Sequence, residues 1–211
     1  MPILLQENFS LPELDPQLQW FSPPRHWRIE PQARHLIIEP DSKTDFWQKT
    51  HYGFQVDNGH FLFFQTAEEV TLTVTVTMNP HHQYDQAGAM VRFSPDCWIK
   101  TSVEYEQEGP SKLGAVVTNH GYSDWSTQDF QDFSLPLHFR ITRQGNDYQI
   151  FCASGDLENS WTQLRITHLA HPPQAPVYFG LFACSPVERG LQARFSSLKI
   201  ESIEKTVLAD G

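Results

Sequence analysis

Residues 69–78 alternate without a break: Val70, Leu72, Val74, Val76 and Met78 take every second position, and Thr71, Thr73, Thr75 and Thr77 fill the others. A two-residue period sends successive side chains to opposite faces of an extended backbone, so this segment is a half-buried β-strand with its aliphatic side on a core. The outward threonines are β-branched and still favour the extended state.

Shorter runs of the same kind recur at 34–39, 60–65, 86–93, 97–105, 112–118, 137–143, 147–153, 177–185 and 192–203, separated by Pro, Gly, Asn and Asp at hairpin spacing. The clearest turn is Arg143-Gln144-Gly145-Asn146-Asp147, where Gly and Asn tolerate positive φ and should join two antiparallel strands. No segment sustains i, i+3, i+4 apolar spacing over about ten residues. Residues 124–133 are expected to form at most a turn of helix inside a loop. The expected class is all-β, and about a dozen short strands suit a sandwich of two packed antiparallel sheets better than one small closed barrel. With no composition break, linker or internal repeat, the 211 residues are expected to form one domain, with the polar tail after Ile203 frayed.

Composition removes several functions. Aromatic content of 13% and charged content of 19% supply a core and argue against disorder. The net charge is −10 and the fifteen Lys and Arg residues are scattered, which disfavours nucleic acid and anionic membrane surfaces as partners. The opening residues turn acidic and Pro-punctuated, unlike a signal peptide, and no apolar run is long enough to span a bilayer, so a cytoplasmic location is expected. Asn8-Phe9-Ser10 then fits a glycosylation acceptor only by accident. Cys97, Cys152 and Cys184 are odd in number, form no C-x-x-C pair, and are expected to be reduced and buried. Phosphate cradles, a G-x-S-x-G elbow and an H-E-x-x-H metal motif are all missing, so no cofactor and no metal is expected despite ten histidines.

A candidate face emerges from two neighbouring strands. In 97–105, Ile99, Thr101, Val103 and Tyr105 share one side, and Trp98, Lys100, Ser102 and Glu104 share the other. In 86–93, Ala87, Ala89, Val91 and Phe93 face inward, and Gln86, Gly88, Met90 and Arg92 outward. The short connection Ser94-Pro95-Asp96 should pair these strands, placing Trp98, Lys100, Glu104, Gln86 and Arg92 on one surface. An indole flanked by charged donors and acceptors is a plausible ligand platform. Further polar and aromatic clusters lie at 44–54 ("TDFWQKTHYGF"), 81–86 ("HHQYDQ") and 118–125 ("TNHGYSDW").

Together with "YDQAGAMVR", "WIKTSVEY", "VVTNHGYSDWS" and "GLFACSP", these clusters make residues 21–200 resemble the domain of unknown function family 1349, which includes relatives of the yeast regulation-of-enolase protein. The resemblance implies a concanavalin A-like lectin/glucanase jelly roll and carries no established reaction, since one fold hosts many activities.

Carbohydrate binding is the first functional expectation. Sugar rings have apolar faces that stack on Trp47, Trp98 or Trp125, and hydroxyls that pair with Asp45, Asp85, Asn119, Asp124 and Glu104. Tyr52, His60 and Gln86 complete the candidate ligand set, and the sequence leaves open whether a loop over 118–133 covers the cleft. Glycoside cleavage is the alternative. Glu104-Tyr105-Glu106-Gln107-Glu108 is superficially similar to the glucanase pattern E-x-D-x-(x)-E, with Glu104 as acid/base, Lys100 as its electrostatic partner, and Asp85 or Asp124 as second carboxylate. Glu106 and Glu108 read as a charged hairpin end, and Lys100 on the same side should lower the Glu104 pKa. Four residues of strand put the Lys100 and Glu104 backbones about 13 Å apart, which suits a bridging ligand better than a direct pair. A protein partner is a further option, though the chain offers no peptide-binding motif.

Overall fold

The alternating segment is strand Val70–Asn79, and it is hydrogen-bonded on both sides within a sheet whose apolar face it helps to build. The computed structural model describes residues 1–155 and 161–203, and the tail expected to fray lies outside them. Numbered along the chain, the strands are β1 (Ile3–Glu7), β2 (Gln19–Phe21), β3 (His26–Glu30), β4 (His35–Glu39), β5 (Phe46–Gln48) and β6 (Gln55–Asp57). Next come β7 (His60–Thr66), β8 (Val70–Asn79), β9 (Gln86–Ser94), β10 (Cys97–Glu104), β11 (Ser111–Asn119) and β12 (Tyr122–Phe130). The last are β13 (Leu137–Gln144), β14 (Asp147–Ser154), β15 (Thr162–His168), β16 (Val177–Cys184) and β17 (Gln192–Ser202). No helix among the described residues is long and apolar enough to cross a membrane.

Two antiparallel sheets form a sandwich. The back sheet runs β15-β14-β13-β8-β17-β4-β3, with β1 also on β17, and the front sheet runs β12-β11-β10-β9-β16-β7-β2. Between them lies a core that takes Val70, Leu72, Val74 and Val76 from β8, Ala87, Ala89 and Val91 from β9, and Ile99 and Val103 from β10. The inward sets expected for 86–93 and 97–105 are therefore on the core side, except Tyr105, which follows the end of β10 and is only half-buried. All three cysteines are buried and free, and burial pushes the Cys97 and Cys152 thiols up to about 11.

Every run expected to be a strand is one, with ends displaced by no more than one residue. The turn after β13 has Gly145 at φ 61°, in the left-handed region. One expectation is corrected: 124–133 contains no turn of helix, and most of it is the strand β12. His120 and Gly121, at φ 52° and 74°, form a two-residue turn into β12, which is the edge strand of the front sheet. Its polar sequence hid it, because β12 has one hydrogen-bonded neighbour and is mostly exposed, so no apolar alternation is required of it.

The front sheet departs from the usual half-buried pattern: β9, β10 and β16 are buried almost throughout, so both their faces are covered. The outer face is covered by a second apolar cluster, Phe46, Trp47, Phe61, Met90, Trp98, Val116, Phe182 and Cys184, to which the small β5–β6 hairpin contributes Phe46 and Trp47. Gly88 and Gly180 lie in this sheet where a Cβ would strike the backbone of the neighbouring strand, so the close approach of the strands there depends on both.

Candidate functional site

Two ion pairs hold the feet of the β5–β6 hairpin on the front sheet. Lys100 Nζ in β10 donates to Asp45 Oδ1, just before β5, at 2.8 Å, and the Lys100 side chain is only 4% exposed. In the adjacent strand, Arg92 Nη1 and Nη2 donate to Asp57 Oδ1 and Oδ2 at 2.6 and 2.7 Å, and the guanidinium also stacks over the Phe21 ring at 4.5 Å. A bidentate fork fixes direction as well as charge. The hairpin is further held by Ser123 Oγ on β12, which accepts from the Gln48 amide at 2.9 Å. Between its feet the chain turns through Lys49, His51 and Gly53 in positive φ and projects Tyr52 and Phe54.

Beside this hairpin is a cavity of about 280 Å³. Trp47, Tyr52, Phe54, Tyr84 and Trp125 form its aromatic walls, with Val116 beneath. Trp47 and Tyr52 meet edge to face at 5.3 Å and Tyr52 stacks on Phe54 at 5.8 Å, while the Trp47 indole N–H is used on the Thr50 carbonyl. The polar groups in the cavity are Asp45, Lys100, Glu104 and Glu106.

Lys100 and Glu104 do not pair directly; a neighbour on β9 links their surroundings. Gln86 Nε2 donates to Glu104 Oε2 at 3.1 Å and lies 3.4 Å from Asp45 Oδ1. Glu106 accepts from Gln83 Nε2. Burial pushes the Glu104 carboxyl up to about 8; Lys100 opposes the rise, and Asp45 and Glu106 add to it. Lys100 lowers this pKa as expected, but desolvation prevails and the net shift is upward. Burial alone would lower Lys100, but Asp45, the Cys184 thiol and Glu104 together more than offset it, so the ammonium lies above its usual value.

Of the residues proposed from sequence, Asp45, Trp47, Tyr52, Lys100, Glu104 and Trp125 line this cavity, and Gln86 is buried beneath it. The others are elsewhere. Trp98 is on the expected face of β10 but is fully buried in the second apolar cluster, its indole N–H on the Pro95 carbonyl, so it is no platform for a ligand. His60 is buried with both ring nitrogens engaged, accepting from the Asp41 amide and bonding the Ser22 carbonyl, and burial lowers its pKa. Asp85 is fully buried and accepts from the His81 and His82 amides and the Ser185 hydroxyl, which makes it a tie between loops. Asn119 ties Ala170 and His168 through its side-chain amide. Asp124 leaves the cavity side of β12 to Trp125 and instead pairs with Arg165 of β15 at 3.0 Å. Neither Asp85 nor Asp124 therefore stands as a second carboxylate beside Glu104.

Sequence reasoning missed Phe54, Tyr84, Val116 and Glu106 as lining groups. Glu106 had a signal: it is two residues beyond Glu104 and continues the same face. Phe54 and Tyr84 sit inside the aromatic clusters noted above, but nothing local says which of their aromatics converge.

Sheet order, antiparallel pairing and a cavity on the front face define a concanavalin A-like β-sandwich of the kind found in glycoside hydrolases. A GH43 protein from Bacillus licheniformis superposes with a TM-score of 0.73 at 16% identity, covering 94% of this chain and 39% of that one. A beta-1,3-glucanase from Mycobacterium marinum gives 0.57 at 11% identity, covering 95% and 99%. At such identities the likeness concerns fold alone.

Residues 20–203 match the family described as "Protein of unknown function (DUF1349)", and the chain belongs to that family. It is 35% identical over 178 residues to "Regulation of enolase protein 1" of Saccharomyces cerevisiae, covering 84% of this chain and 85% of that protein. A crystal structure of a functionally unknown protein from Saccharomyces cerevisiae superposes with a TM-score of 0.79 at 33% identity, covering 89% of this chain and 97% of that one.

Proposed function

We propose that this protein binds a small saccharide, of one or two sugar units, in the cavity beside the β5–β6 hairpin, and that it does so in the cytoplasm. The carrying observation is the composition of one cavity: aromatic walls from Trp47, Tyr52 and Trp125 against a polar side of Asp45, Lys100, Glu104 and Glu106. A sugar ring has the same two characters, an apolar face of C–H groups and a rim of hydroxyls. A volume of about 280 Å³ is at the small end for ligand pockets, which is why the reading stops at one or two units. Calorimetric titration with a panel of mono- and disaccharides tests it. At least one sugar is expected to bind, and Trp125→Ala is expected to weaken it by about tenfold or more with the unfolding midpoint little changed. A folded sample that takes up heat from none of the panel overturns the proposal.

Cleavage of a glycoside is the second reading, favoured by Glu104 being held near pKa 8 in a cavity that also presents Glu106. A carboxyl still protonated at neutral pH can donate to the departing glycosidic oxygen, while a second carboxylate attacks the anomeric carbon or activates water. Release of nitrophenol from aryl glycosides, lost in both Glu104→Gln and Glu106→Gln, is the expected result. No release from the wild type across a panel of aryl glycosides leaves binding without turnover.

A further inference from the structure

We infer that the cavity selects an amino sugar, with the ligand's ammonium seated between the aromatic wall and the carboxyl groups of Glu104 and Glu106; this rests on the saccharide reading above. The charges in and around the cavity do not balance. Lys100 is committed to Asp45 at 2.8 Å. Lys112, directly opposite Glu104 on β11, is committed to Asp129 of β12 at 2.7 Å. Glu104 and Glu106 are met instead by the amides of Gln86 and Gln83, neutral donors that satisfy a hydrogen bond but not a charge. The groups around Glu104 from the other elements are Asp45 before β5, Tyr52 in the hairpin, Tyr84 before β9 and the Cys184 thiol at the end of β16, none of them a cation.

A neutral sugar hydroxyl adds another hydrogen bond to these carboxyls and leaves the imbalance as it was. An ammonium supplies both the hydrogen bonds and the missing charge, and the rings of Trp47, Tyr52, Phe54 and Trp125 that line the same cavity are the groups to which a cation is attracted. In the free protein Glu104 meets the deficit by keeping its proton. An entering ammonium takes over that role, so Glu104 gives up its proton to solvent as the ligand binds.

The test is titration of glucosamine and galactosamine against glucose, galactose and the two N-acetylated sugars, near pH 6.5, where the free amine and Glu104 both carry protons. Calorimetry in two buffers of different ionisation heat counts protons exchanged. The expected result is that an amine binds about tenfold or more tightly than its neutral and N-acetylated counterparts and releases about one proton, and that Glu104→Gln, verified as folded by its melt, abolishes the release. Equal affinities, or binding by an amine without proton release, overturn the inference and leave the saccharide reading standing. If no sugar of either kind binds, both fall.

Discussion

Glu104 ties the stability of this protein to pH in a direction opposite to that of an ordinary salt-bridged carboxylate. Its folded pKa, about 8, lies above the usual 4.5, so between those values the folded chain holds a proton that the unfolded chain has released. The stability it confers is full below about pH 4.5 and is lost as pH rises through about 8, by up to a few kcal/mol. Glu104→Gln keeps the shape and removes the titration, so its urea midpoint is expected to fall less than the wild type's between pH 5 and 8; parallel pH profiles contradict this origin of the slope. Asp45 carries the opposite risk. Asp45→Asn strands a buried ammonium and is expected to cost about 3–5 kcal/mol in urea unfolding, and adding Lys100→Met is expected to restore most of it.

The β5–β6 hairpin is the element that turns a sheet face into a cavity, and its feet are Asp45 and Asp57. Asp57→Asn weakens the Arg92 fork, and hydrogen exchange at 46–57 is expected to speed by about tenfold or more while the amides of β8 and β17 stay protected. If the whole molecule loosens together, the hairpin is part of the core and not a strap upon it. This is also where legibility in the sequence ended. Strands β8, β9 and β10 could be read because a two-residue period assigns every side chain to a face, and those faces are as expected. That period does not say what lies above a face. Two three-residue strands, β5 and β6, are too short to announce themselves, yet Phe46 and Trp47 of β5 join Phe182 and Cys184 of β16 in the second apolar cluster that encloses Trp98. Glu104 and Lys100, on the same face but beyond that cover, open on the cavity. Glu106 reads in the sequence as part of a charged hairpin end, although its face parity already places it beside Glu104.

At the scale of the molecule, the central strands of the front sheet are buried on both sides, and the cavity is where aromatic and charged groups of that sheet meet solvent together. The sandwich itself was legible from alternation and turns, because core burial repeats along many strands. The site was legible only in part, because it is assembled from β10, β12, the hairpin and the loop before β9, and no local pattern records their convergence. The six tryptophans allow this convergence to be observed directly. In a spectrum resolving the six indole N–H signals, a bound saccharide is expected to shift those of Trp47 and Trp125 and leave Trp20, Trp27 and Trp161 unmoved, with Trp98 changed little. No shift at Trp47 or Trp125 on saturation with sugars, or shifts confined to the other four, contradicts a saccharide site beside the hairpin.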